Sequence, residues 1–144
     1  MKKLPLIIAF IFWNATNSQL TNANFSTAIY NCLSTNPVDG KCSSSPYGEM
    51  PDWDVSLVTN MRDAFSTESN FNADISSWNV SNVTDMYTMF AFATNFNQDL
   101  SSWNVGNVEL MWGMFYYAEN FNKDIDAWNV SNVLSMGYMF MGAA

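Results

Sequence analysis

Trp53, Trp78, Trp103 and Trp128 stand 25 residues apart without a slip. Most other side chains repeat with them. Trp78-Asn79-Val80-Ser81-Asn82-Val83 returns as Trp103-Asn104-Val105-Gly106-Asn107-Val108 and as Trp128-Asn129-Val130-Ser131-Asn132-Val133. Trp53-Asp54-Val55-Ser56-Leu57-Val58 is the first copy. A fixed period of this size marks stacked supersecondary units. One copy offers roughly nine or ten apolar side chains, each worth roughly 1.5–3 kcal/mol on full burial. Ordering its backbone costs roughly 1–2 kcal/mol per residue. A lone copy loses that comparison, so neighbours must bury both of its faces.

Hydrophobic spacing changes inside each copy. Trp78 and Val80 alternate about Asn79, the period of a half-buried strand. Met86, Met89, Phe90 and Ala93 fall at i, i+3, i+4 and i+7, one face of a helix, and Met111, Met114, Phe115 and Ala118 repeat this. Asp85, Asn60 and Ser135 stand where a helix cap is expected, and Asn70, Asn95 and Asn120 where a left-handed residue would end it. The spacing predicts an α/β solenoid with one strand and one short helix per copy. Its strands would form a short parallel sheet with identical residues laddered about 4.8 Å apart.

The chain divides into a signal peptide (1–18), an amino-terminal cap (19–52) and the array (53–144). The array's units are 53–77, 78–102, 103–127 and a partial 128–144. Lys2 and Lys3 precede an apolar run of ten residues, 4–13, and small or polar residues follow it, the pattern of a secretory leader. That run is too short to span a bilayer, so no membrane span is expected in the mature chain. No cysteine follows closely enough for a lipid anchor. Phe25, Ala28, Ile29 and Leu33 predict a helix over 22–33 in the cap. The only cysteines, Cys32 and Cys42, flank a turn-rich run. In an exported chain they read as a disulfide, the alternative being two free thiols.

From residue 19 onward three basic side chains face thirteen acidic ones, a net charge of −10. Nucleic acid and anionic lipid both need clustered Lys and Arg, so neither is expected as a partner. With no His and one Arg, the chain lacks the positioned bases of most acid–base and nucleophilic schemes. No enzyme activity and no cofactor are expected.

The string Ile75-x-x-Trp78-x-Val80-x-x-Val83-Thr84-x-Met86-x-x-Met89-Phe90-x-x-Ala93-x-x-Phe96-Asn97-x-Asp99 resembles the repeat of BspA-like surface proteins, a leucine-rich-repeat-like family. The resemblance covers 53–144. It implies a non-catalytic protein, secreted or displayed at the cell surface, in a family of which some members act in adhesion to host or matrix proteins; the partner expected here is an extracellular protein or glycan. The first copy departs from the pattern, with Ala64 and Glu68 where the others carry Met and Ala. The fourth stops at Ala144 inside its expected helix and would present Met136, Met139, Phe140 and Met141. Two expectations follow: a fragment of a longer array, or a self-assembling structural coat module that stacks through this end.

Candidate site residues are those that break the repeat. Tyr87, Phe92, Trp112, Tyr116, Tyr117 and Tyr138 lie off the repeated apolar positions. They form either a contact face or packing between adjacent copies. The repeated Trp and Met columns read as core, not as sugar platforms or thioether ligands. Asp74, Asp99 and Asp124 recur in Asn-x-Asp columns. Calcium ligation is the weaker reading there, turn formation the stronger. Asn24, Asn79, Asn82 and Asn129 lie in glycosylation sequons, read more simply as repeat columns.

Overall fold

Alternate main-chain donors in each copy point in different directions, and this sets the architecture. The computed structural model describes residues 19–144; the expected signal peptide lies outside the described residues. In the second copy Met86, Thr88, Phe90 and Phe92 donate their N–H groups to the carbonyls of Leu110, Trp112, Met114 and Tyr116 in the third, at 2.7–2.9 Å. The intervening Met89, Ala91 and Ala93 bond back three residues, to Met86, Thr88 and Phe90, at 3.0–3.2 Å. The copies therefore stack in a 25-residue register as irregular, turn-rich coil.

This corrects the expected fold class. The described residues contain one α-helix, α1 (Phe25–Leu33), and one short 3-10 turn, Met50–Asp52. They form no sheet, and pairing shrinks to single parallel bridges at Asn60, Asp85, Leu110 and Ser135, plus one between Thr21 and Leu57. The chain is not a leucine-rich-repeat-like α/β solenoid with a strand and a helix in each copy.

Local chemistry accounts for both failures. The strand stops because Asn79 Oδ1 accepts from Ser81 N at 3.2 Å and Ser81 Oγ at 2.7 Å, and Val83 N then closes a turn on Val80 O. Asn104 and Asn129 make the same turn with Gly106 and Ser131. Such side-chain bonds compete directly with a ladder. The helix fails because two residues per copy are left-handed, Thr88 (φ 49°) and Phe92 (φ 60°) in the second. A right-handed helix cannot pass through that region. Asp85 and Asn60 do not cap helices; they accept from Tyr87 N and Arg62 N two residues on. Asn70, Asn95 and Asn120 are not the left-handed positions.

Burial nevertheless follows the repeat. Val58, Val83 and Val108, Met61, Met86 and Met111, and Phe65, Phe90 and Phe115 are fully buried. The Phe rings stack from copy to copy with centroids 5.5 Å apart, wider than the spacing expected of a sheet. Within a copy each also stacks on a second Phe, at 4.0 Å (Phe71), 4.1 Å (Phe96) and 3.9 Å (Phe121). The buried indoles reach back: Trp78, Trp103 and Trp128 donate Nε1–H to Met50, Ile75 and Leu100 carbonyls at 2.9–3.1 Å. Each of these carbonyls also accepts the N–H of the Trp three residues on, so the indole adds a second bond to it and ties each Trp to the preceding unit.

The cap copies this bonding with side chains. Asn22 Oδ1 accepts from Thr59 N and Asn60 N, the role Thr59 O plays for Thr84 and Asp85 one copy later. α1 begins three residues later than expected and buries Phe25, Ala28, Ile29, Cys32 and Leu33. Phe25 meets Trp78 edge-on at 5.9 Å. The helix gives way before Asn36-Pro37, since a residue preceding proline avoids the helical region. Cys32 and Cys42 form a disulfide. A loop of that size contributes about 2–3 kcal/mol in the chain-entropy account.

Candidate aromatic contact surface

Two neighbouring columns carry the side chains that break the repeat. The first runs Arg62, Tyr87, Trp112, Gly137; the second runs Thr67, Phe92, Tyr117, Gly142. Tyr87 and Trp112 stack at 5.0 Å with planes 12° apart, and Phe92 and Tyr117 at 5.6 Å and 7°. Tyr116 joins the columns. It meets Phe92 edge-on at 5.3 Å, Tyr117 edge-on at 4.7 Å and Trp112 at 6.5 Å. Tyr138 meets Trp112 edge-on at 5.5 Å. All six candidate aromatics therefore form one connected cluster across three copies. Adjacent-copy packing and surface exposure, read from sequence as alternatives, coexist here. Phe92, Tyr117 and Tyr138 are 45%, 37% and 60% exposed, and the other three are half-buried.

Three of the six are held in strained backbone. Phe92, Tyr117 and Tyr138 have φ of 60°, 52° and 57°. The same columns hold Gly142 at 76° and Gly113 at 60° in other copies. A glycine is thus accommodated where these bulky aromatics stand. A bulky side chain in this region costs about 1–3 kcal/mol.

Arg62 was not legible as part of this cluster. Its guanidinium lies 4.1 Å from the Tyr87 ring centroid and is held by Asp85 Oδ2 at 3.0 Å. The available signal was its position one period before Tyr87. Gly137 was also missed: a Cβ there would lie 3.1 Å from Trp112 Cδ1 and Nε1, so its bareness leaves room for that edge of the indole.

The aspartate columns close turns. Asp74 Oδ1 accepts from Ser76 N at 3.1 Å and Ser76 Oγ at 2.6 Å. Asp99 and Asp124 accept from Ser101 N and Asp126 N, each at 2.9 Å. Among the described residues no three His, Cys, Asp or Glu side chains are grouped to hold a metal.

The Ser76 hydroxyl and then its N–H hold the Asp74 carboxyl below the ordinary aspartate value. The Ser101 N–H and then its hydroxyl do so for Asp99, and Ser56 for Asp54. A depressed folded-state value stabilises the fold fully above the ordinary aspartate pKa, and this contribution is lost as pH falls through the depressed values. Denaturant midpoints should therefore stay flat on the neutral side and fall only at pH values near and below that of free aspartate. A decline beginning near neutrality would contradict this assignment.

The described part is a disulfide-capped chain of stacked coil copies with an aromatic face, and no helix in it is long and apolar enough to cross a membrane. The chain belongs to the family described as "Mycoplasma protein of unknown function, DUF285", whose model matches residues 38–144. No curated protein and no solved structure matches it.

Proposed function

We propose that this chain is a non-catalytic, exported binding protein whose aromatic face engages an extracellular partner in adhesion. One observation carries the proposal: six aromatics that break the repeat converge on one partly exposed cluster. Scattered surface aromatics need no explanation, but a connected cluster does. Tyr and Trp offer large, stiff, amphipathic contact area at low entropic cost. The left-handed backbone at Phe92, Tyr117 and Tyr138 recurs in every copy, at Asp63, Thr67 and Thr88 and at Gly113 and Gly142, so it belongs to the fold; the support lies in bulky aromatics standing where smaller residues serve. The resemblance to BspA-like surface proteins supports export and adhesion. The scarcity of basic groups and the absence of His in the sequence support a non-catalytic role.

The double variant Trp112→Ser/Tyr117→Ser tests this on immobilised extracellular proteins and glycans. Removing two central anchors should weaken retention by about thirtyfold or more, since a hot-spot residue is worth about 2 kcal/mol. Far-UV circular dichroism should not change. Retention equal to the parent chain would refute the contact face.

A further inference from the structure

We infer that the aromatic face takes a protein segment rich in arginine or lysine, rather than a neutral glycan; this rests on the contact-face reading above. The disposition of the ring planes argues against a sugar. A saccharide stacks on an open aromatic face, and Tyr87 and Tyr117 each have a neighbour on both faces. Arg62 covers one side of Tyr87 and Trp112 the other. Trp112 has Tyr87 on one face and Tyr138 edge-on to it, and its Cδ1–Nε1 edge comes up against Gly137. Phe92 and Tyr117 cover one another, and Tyr117 lies on Gly142, where a Cβ would come within 2.7 Å of its ring. At Tyr87 and Tyr117 a partner therefore meets ring edges and phenol hydroxyls.

Those edges carry the positive end of the ring quadrupole and suit carbonyl oxygens and aliphatic stems. Long basic side chains bring such stems, with a charged head at the tip. Exposed carboxylates close by in the chain are available to that head. Glu109 is exposed three residues before Trp112, and Glu119 is exposed two residues after Tyr117. Arg62, the basic group within the cluster, is already paired with Asp85. With thirteen acidic side chains against three basic ones beyond residue 18, the surrounding field is negative and attracts a basic partner.

Titration calorimetry of the full chain with three probes tests the assignment: an alternating Arg–Leu peptide, its Glu–Leu counterpart and a linear glucan oligosaccharide. The Arg–Leu peptide should bind and weaken about tenfold between about 50 and about 300 mM salt, as screening shortens the reach of exposed charge. Glu109→Gln/Glu119→Gln should weaken it about threefold or more, in line with rim charges of modest individual worth. Trp112→Ser/Tyr117→Ser should abolish it. Binding of the glucan or the Glu–Leu peptide instead, lost in Trp112→Ser/Tyr117→Ser, would overturn the basic-partner assignment and leave the contact face standing. Binding of any probe that survives Trp112→Ser/Tyr117→Ser, or no binding at all, would overturn both.

Discussion

Phe90→Ala should cost about 3–5 kcal/mol of folding stability, the range for truncating a buried aromatic. Phe90 is fully buried at the middle of the Phe column. Its ring stacks on Phe65 and Phe115 at 5.5 Å each and on Phe96 at 4.1 Å, and leans on Trp103 at 6.4 Å. Truncation would leave a cavity walled by flat rings in neighbouring copies, and coil stacked on coil has no sheet to hold it in place. Phe90→Leu keeps most of the volume and should cost less, about 1–2 kcal/mol. Equilibrium urea unfolding measures both. A loss below about 1 kcal/mol for Phe90→Ala would show that the stacked rings do not hold the copies together.

Gly40→Ala should cost about 2–4 kcal/mol although it adds a single methyl. Gly40 sits at φ 65°, a left-handed conformation that an L side chain rarely adopts. A Cβ there would stand 2.8 Å from Met50 Cβ, an atom fixed to its own backbone. Met50 is fully buried, so it has no room to retreat. Gly40 O also accepts from Met50 N at 2.9 Å and Cys42 N at 2.8 Å, which ties the disulfide loop to the 3-10 turn leading into the first copy. The thermal midpoint of Gly40→Ala reads this directly. A shift within error would mean that the cap adapts and does not fix the array's start.

Burial was legible in the sequence, and main-chain conformation was not. The Trp, Val, Met and Phe columns are buried through the first three copies because a 25-residue period reports which side chains meet a neighbouring copy. The same apolar spacing at Met86, Met89, Phe90 and Ala93 suits a helix, yet here alternate N–H groups serve the next copy. Spacing alone does not separate those cases. The left-handed residues that decide the matter are Asp63, Thr67, Thr88, Phe92, Tyr117 and Tyr138, none of a type that sequence marks strongly for that region except Asp63. Only Gly113 and Gly142 hinted at those columns. The aromatic cluster was legible by contrast, since its members depart from an otherwise strict repeat. Arg62 and Gly137 escaped because each must be read along its column, one period from the aromatics it touches.

The proposed contact role requires that the exposed aromatic Tyr138 be dispensable to the fold. Tyr138→Gly tests that most directly. Tyr138 is 60% exposed, and its ring meets Trp112 alone among the aromatics. Glycine relieves the left-handed conformation at about 1–2 kcal/mol and returns about 0.5–1 kcal/mol as unfolded-chain entropy. The account predicts an unfolding free energy unchanged or raised by up to about 1 kcal/mol. A loss of more than about 2 kcal/mol would contradict it, because the ring would then be a structural element.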